Sequence, residues 1–244
     1  MRKIITSAVC ICALSFLFIS AFSQNEKQKH HYNDKPGIEG SGNIVTKDVA
    51  IQSFSQLEAS GVFNLSLIQG TKESVKIEAD DNLQQLFEVK NEGDKLIVDM
   101  KKDTNFNSTK RIMVYITFKN LKSMNLKMVG NVSSEGNLSF GDLSLDNKSV
   151  GSVELVLNAQ KLDIKNKSVG NLKLSGKAND AVVRNNSVGA FRAGDLVVQT
   201  MDIDNDGIGG AEVNAAKELK VKDSFLGKVK NVGTGTKRIN KVVI

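Results

Sequence analysis

Apolar and polar residues alternate along most of the chain from residue 40 onward, and the alternation recurs in phrases of similar length. The clearest phrases are LSLDNKSVG, LDIKNKSVG, AVVRNNSVG, MDIDNDGIG and LKVKDSFLG, preceded by the degenerate copy MNLKMVG. An alternation with a period of two predicts β-strands that turn one face inward. The phrases repeat about every 19–20 residues, which is the length of a solenoid coil. The chain is therefore predicted to be all-β, a right-handed parallel β-solenoid.

Each phrase ends in a glycine at which the apolar positions change phase. This change predicts a bend between two strands of one coil, where glycine adopts a positive φ without the energetic cost that other residues have. The predicted bend glycines are Gly130, Gly151, Gly170, Gly189, Gly209 and Gly227.

A polar residue lies four positions before each of the last five of these glycines. In a stack of coils these polar residues would form a column. Stacked side-chain amides can bond from coil to coil and to the backbone at the bend. This column is therefore predicted to be a structural ladder rather than a binding site. It contains Asn147, Asn166, Asn185, Asn205 and Asp223.

The segment DIDNDG matches the opening of a calcium-binding loop, with carboxylates at Asp202, Asp204 and Asp206. The bidentate glutamate that such a loop needs at its twelfth position is replaced by Val213. The repeat also places Asp204 in an outward column of cations, which consists of Lys165, Arg184 and Lys222. The favoured interpretation is a solvated charge ladder, and a calcium site at the three aspartates is the alternative.

Residues 40–120 lack the repeated phrase but keep the character of β-strands. Strands are predicted at 62–68, 75–79, 95–100 and 111–118, and one short helical turn at 82–87. We expect irregular coils and hairpins that cover one end of the solenoid, because an uncovered end exposes strand edges. Residues 40–244 are thus predicted to form one domain, with irregular coils at 40–120 and regular repeats at 121–238.

The first 23 residues have the features of a signal peptide, with a basic start, a long apolar run and small residues before Gln24. The alternative is a retained membrane anchor, since the apolar run is about long enough to span a bilayer. Residues 24–39 are polar and contain the one proline of the chain, which predicts a flexible linker. The chain is therefore expected to be exported, without a membrane span after cleavage.

Composition excludes several kinds of chemistry. Residues 40–244 contain no His, Cys or Trp, because Cys10 and Cys12 lie in the leader and His30 and His31 in the linker. Serine–histidine and cysteine–histidine catalysis, disulfides and His- or Cys-ligated metals are therefore excluded from the predicted domain. The net charge of +6 falls to +4 after removal of Arg2 and Lys3, which is too small to indicate nucleic-acid binding. No cofactor is predicted.

Residues 40–100 resemble the bacterial putative auto-transporter adhesin family with the head GIN domain. The matching features are Gly61-Val62-Phe63, the run Leu67-Ile68-Gln69-Gly70, the alternation Val75-x-Ile77-x-Ala79-Asp80 and Leu96-Ile97-Val98. The resemblance implies a secreted or cell-envelope β-solenoid of the type found in Gram-negative Bacteroidetes. It carries no catalytic residues to this chain.

Two functions remain open from the sequence. The first is a non-enzymatic adhesin or envelope scaffold, which presents an elongated face to a protein or glycan in the periplasm, at the outer membrane or on the cell surface. The alternative is a polysaccharide-binding or polysaccharide-processing β-helix protein. That alternative requires convergent carboxylates and aromatic platforms, yet only eight Phe and two Tyr follow the leader. The first function is therefore favoured, and the sequence leaves the oligomeric state open.

Overall fold

The computed structural model describes residues 37–224 and 226–239 of the 244-residue chain. The predicted signal peptide and residues 24–36 of the predicted linker lie outside these ranges. Within the last residues of that linker, Ile38 and Glu39 form a short strand that pairs in parallel with Phe106–Asn107.

Strands account for most of the described residues, and the chain order is as follows. The less regular part contains β1 (Ile38–Glu39), β2 (Ile44–Val49), β3 (Gln56–Val62), β4 (Asn64–Gln69), β5 (Ser74–Asp80), a 3₁₀-helix (Asp81–Leu86), β6 (Phe87–Glu92), β7 (Lys95–Met100), β8 (Phe106–Asn107) and β9 (Met113–Phe118). The repeats contain β10 (Ser123–Val129), β11 (Val132–Glu135), β12 (Leu138–Asn147), β13 (Val153–Asn166), β14 (Leu172–Asn185), β15 (Phe191–Asn205), β16 (Ala211–Asp223), β17 (Val229–Asn231) and β18 (Thr236–Ile239).

The repeated phrases stack directly on one another. Strands β12 to β16 pair in sequence order, always in parallel, and equivalent phrase positions face each other. Leu162 pairs with Ala181, which pairs with Met201, and Met201 pairs with Leu219. The predicted fold class, a parallel β-solenoid, is confirmed.

Each long strand of the repeats turns a corner near its middle, so that it supplies two walls of the coil. In β13 the side chains of Ala159 and Leu162 point inward, whereas Gln160 and Lys161 between them are exposed. Because of this change of phase, the parts of the strand before and after the corner both bury their apolar residues in the same core. Complete burial of one such aliphatic side chain stabilises the fold by roughly 1.5–3 kcal/mol.

The N-terminal strands close one end of the solenoid by an interleaved path. Strands β3 and β4 stack in parallel on β10 and β11, and the later strands β7 and β9 stack on the outer side of β3 and β4. Strand β6 then pairs antiparallel with β7, while β5 pairs antiparallel with β9 and β2 with β5. This is the less regular β region that the sequence predicts, and its hairpins cover the strand edges that an ideal coil would expose.

A buried carboxylate holds two loops of this end together. Asp80 accepts hydrogen bonds from the Gly42 amide (2.8 Å), the Thr109 hydroxyl (2.7 Å) and the Ser108 hydroxyl (2.8 Å). The Thr109 bond, followed by the others, lowers the Asp80 pKa to about 2. Asp80 is therefore ionised at neutral pH, and it ties both loops to the end of β5.

Five of the six predicted bend glycines have φ between 131° and 141°. At Gly170 a Cβ atom would lie 2.2 Å from the Gly151 carbonyl oxygen in the coil below, so a side chain has no room. Gly227 differs, because its φ is outside the left-handed region and it lies against Gly207 rather than Gly209. Gly227 still lies between two strands, β16 and β17, but it lacks the positive φ that is predicted for a bend glycine.

We expect Gly170→Ala to destabilise the protein strongly. The positive φ alone costs about 1–3 kcal/mol, and the contact with the Gly151 carbonyl adds to this cost. Urea unfolding measures the difference. Gly141→Ala is the matched control, since a methyl group at Gly141 would meet no atom within 4 Å and the φ of this residue is not positive. Equal unfolding midpoints for the two variants would contradict this account of the bend.

Candidate functional surface

The predicted asparagine column lies inside the solenoid. Asn147 Nδ2 donates to Asn166 Oδ1 (2.9 Å), Asn166 Nδ2 to Asn185 Oδ1 (2.7 Å), and Asn185 Nδ2 to Asn205 Oδ1 (2.6 Å). All four side chains are buried, with at most 2% of their surface exposed. Their amides therefore join successive coils and do not reach a binding partner.

Serines complete this buried network. The hydroxyls of Ser149, Ser168 and Ser187 donate to the Oδ1 atoms of the asparagines two residues earlier, at 2.7, 2.8 and 2.9 Å. The Oδ1 atoms of Asn147, Asn166 and Asn185 therefore each accept at least two hydrogen bonds. This satisfies the hydrogen-bonding capacity of these buried oxygen atoms. These serines are not among the predicted site residues, although the recurring SVG triplet carries their signal in the sequence.

The ladder ends before Asp223. The backbone of Asp223 pairs with Asn205, but Asn205 Nδ2 donates to the Gly227 carbonyl oxygen (2.6 Å). The Asp223 carboxylate instead accepts a hydrogen bond from the Val229 amide (3.3 Å). The Gly227 carbonyl thus takes the place of the fifth side chain of the column as the acceptor from Asn205.

We expect Asn185→Leu to lower the free energy of unfolding by about 3 kcal/mol or more. The change removes an acceptor for Asn166 and Ser187 and a donor to Asn205, and each buried polar group left unpaired costs about 1–3 kcal/mol. The neighbouring asparagine supplies the control, because Asn186 is exposed and Asn186→Leu should leave the stability nearly unchanged. Thermal unfolding of both variants checks this, and two equal melting temperatures would argue against a stabilising ladder.

The three aspartates of DIDNDG lie on the outer face of β15 and the residue after it. Asp204 is positioned between Arg184 and Lys222 of the adjacent coils, and its Oδ2 accepts a hydrogen bond from Lys222 Nζ at 2.8 Å. This bond raises the Lys222 pKa. Alternate residues of a strand are about 6.6 Å apart, so Asp202 and Asp206 point outward on either side of Asp204. In the part of the chain that the structure describes, no three metal-ligating side chains converge.

Columns of mixed charge cover the outer faces of the repeats. Their ion pairs join adjacent coils, as between Glu154 and Lys173 (3.9 Å) and between Glu212 and Lys230 (3.0 Å). The side chains are largely exposed, so each pair contributes at most about 1 kcal/mol to stability. Their groups remain accessible to a partner.

An open groove of 580 Å³ interrupts these columns just after the bend. The residue that follows the bend glycine is Asn171 in one coil, but it is Ala190 and Gly210 in the next two coils. The groove lies where these smaller side chains leave space. On its other side the register of β15 and β16 shifts after Ala193, which brings Gly194 beside the Glu212 carboxylate. The charged lining consists of Glu154, Lys173, Arg192, Asp195, Glu212, Lys228 and Lys230.

Aromatic side chains contribute little to the outer surface of the described residues. The phenylalanines there and Tyr115 are buried or half-buried, and Phe118 and Phe140 stack on each other with ring centroids 5.9 Å apart. The described ranges also contain no helix with the length and apolar character needed to cross a bilayer. The accessible chemistry of the repeats is therefore that of charged and amide groups, together with exposed aliphatic side chains such as Val150 and Val169.

A comparison with protein families identifies the family of this chain. The model of the family described as "Putative auto-transporter adhesin, head GIN domain" matches residues 53–235, which is three quarters of the chain. A comparison with curated proteins finds no match.

Solved structures from Bacteroidetes share the fold. A "putative adhesin" from Bacteroides fragilis is 27% identical, with a TM-score of 0.71 over 84% of this chain and 100% of that chain. A "putative lipid binding protein" from Parabacteroides distasonis is 17% identical, with a TM-score of 0.59 over 84% of this chain and 99% of that one. A "putative adhesin" from Parabacteroides merdae is 20% identical, with a TM-score of 0.52 and the same two coverages. The two more distant structures show the fold alone.

Proposed function

Because the chain belongs to the putative auto-transporter adhesin family with the head GIN domain, we propose that it is a non-enzymatic adhesin-like protein of the cell envelope. In this proposal the solenoid is a rigid support, and the groove beside the bend is the surface that binds a partner. The observation that carries the proposal is the concentration of seven charged side chains around this groove.

The support matters because binding residues on strands are held more rigidly than residues on loops. Lys173 and Arg192 occupy equivalent positions of β14 and β15, which are paired directly. Glu212 follows in the next coil and Lys230 in the one after it. The groove thus displays charges of both signs at the regular spacing of the coils, about 4.8 Å.

This chemistry favours a protein partner over a polysaccharide. Mixed charges complement the mixed charges of a protein surface and select partners by electrostatic fit. A polysaccharide site is usually built with exposed aromatic platforms, whereas the floor residue Phe191 is fully buried. The same absence of platforms in the described repeats weakens the case for a polysaccharide-processing enzyme.

Export is part of the proposal. It is supported by the leader-like first 23 residues and by the polar stretch that follows them. A family whose description names adhesins agrees with a location outside the cytoplasm. The proposed location is the envelope of a Gram-negative bacterium, in the periplasm, at the outer membrane or on the surface.

The location can be tested by expression of the full chain, with its own leader, in a Gram-negative host. We expect the protein in the envelope fraction with Gln24 as its first residue, as measured by N-terminal sequencing. Protease treatment of intact cells, with lysed cells as the control, then separates surface from periplasm. Loss from intact cells supports the adhesin function, whereas a protein that keeps Met1 and stays in the cytoplasm would refute export.

Binding can be tested with beads that carry the purified mature chain. We expect retention on at least one of immobilised fibronectin, laminin or collagen, and a loss of at least tenfold for Lys173→Glu combined with Arg192→Glu. The control is Lys161→Glu combined with Lys177→Glu, which makes the same charge change at exposed positions outside the groove. Binding to a glycan array alone would favour the polysaccharide alternative, and equal binding by both double variants would exclude the groove.

A further inference from the structure

A column of aliphatic side chains runs along one edge of the solenoid, on the outer side of the bend. Each side chain is about half exposed, between 48% and 58%. Parallel pairing joins each to the next, so the column is continuous from coil to coil. We call it the aliphatic edge, and it consists of Val62, Val129, Val150, Val169, Val188 and Ile208.

The fold does not require aliphatic residues at this edge. Their backbones make the coil-to-coil bonds, such as the Val169 amide to the Ser149 carbonyl (3.0 Å), and any β-branched residue such as threonine can do the same. Six coils at about 4.8 Å give an apolar line about 24 Å long. Single chains rarely expose continuous apolar patches of this size unless a partner covers them.

A second column, two residues before the edge, shows which partner fits. Lys127 and Lys148 in this column are paired with carboxylates of their own chain. Lys167 and Asp206 form no ion pair within the described residues, although both are exposed. These two opposite charges lie in the coils immediately before and after the coil of Val188.

We propose that the aliphatic edge binds a second copy of this chain, antiparallel to the first, about a two-fold axis through Val188. Antiparallel edges bring the same column of the two copies face to face. Val188 then contacts its own equivalent, and Val169 of each copy packs against Ile208 of the other. The same operation sets each Lys167 opposite an Asp206, so the symmetric contact contains two such pairs of opposite charge.

The contact area agrees with a weak, reversible dimer. With the axis at Val188, only Val169, Val188 and Ile208 of each copy face one another. At about 80 Å² each, these side chains bury roughly 500 Å² in total, less than the roughly 1,000 Å² of a stable specific interface. The dimer is therefore expected to be transient and to form only at high protein concentration. The groove of the proposed function lies across the bend glycines from this edge, and the inference does not depend on what the groove binds.

Sedimentation of the purified mature chain over a concentration series tests the proposal. We expect reversible dimerisation, weakened at least tenfold by Val188→Lys, which sets two like charges together on the axis. The control is Val156→Lys, because Val156 is similarly exposed (43%) but lies away from the edge. Both side chains point to solvent, so both variants should keep the melting temperature of the unchanged protein. A chain that stays monomeric up to about 1 mM, or dimers that Val188→Lys leaves intact, would overturn the proposal.

A charge exchange tests the antiparallel register separately. Lys167→Asp and Asp206→Lys should each weaken the dimer, because each sets like charges opposite one another. The double variant should restore dimerisation, since the pair is rebuilt with its signs reversed. Failure of the double variant to recover would refute this register. Val188-dependent binding of a monomer to phosphatidylglycerol vesicles would instead assign the edge to a lipid surface and overturn the second copy.

Discussion

Parallel backbone hydrogen bonding between equivalent positions of successive coils is the constraint from which the rest of this structure follows. The amides at Lys167, Val169 and Gly170 all bond to carbonyls of neighbouring coils. Because the phrase positions stay in register from β12 to β16, a residue type that recurs in the phrase becomes a column in space. Buried apolar columns make the core, and exposed columns make the surface.

The bend shows how several columns depend on this one spacing. Coils that lie about 4.8 Å apart leave no space for a Cβ above the Gly151 carbonyl, which explains the glycine at 170. The same spacing lets one asparagine amide reach the next, so the buried polar atoms are satisfied within the stack. On the outer side of the same bend it aligns half-exposed valines such as Val188 into a continuous edge. Core, ladder and edge are therefore products of a single repeat.

Departures from the repeat create the local features of the surface. The groove exists because small residues replace Asn171 in the next two coils and because β15 carries extra residues beside Glu212. In the final coil the Gly227 carbonyl, rather than the Asp223 side chain, accepts the last ladder bond. In the proposed two-fold pair each molecule keeps its own groove, so two weak sites could act together with higher avidity.

The sequence by itself determined the fold class, the coil length and the columns, because strict alternation and a fixed period are properties of a chain that repeats one local structure. It also predicted a structural rather than a binding role for Asn185, and an outward position for Asp204 among the cations of its column. Only the tertiary structure decided how residues 40–120 interleave, with β7 and β9 outside β3 and β4. That arrangement rests on contacts between distant segments without a shared phrase. The exposure of Val188 likewise needed the structure, because an apolar residue beside a bend can point either way and local pattern does not distinguish the two.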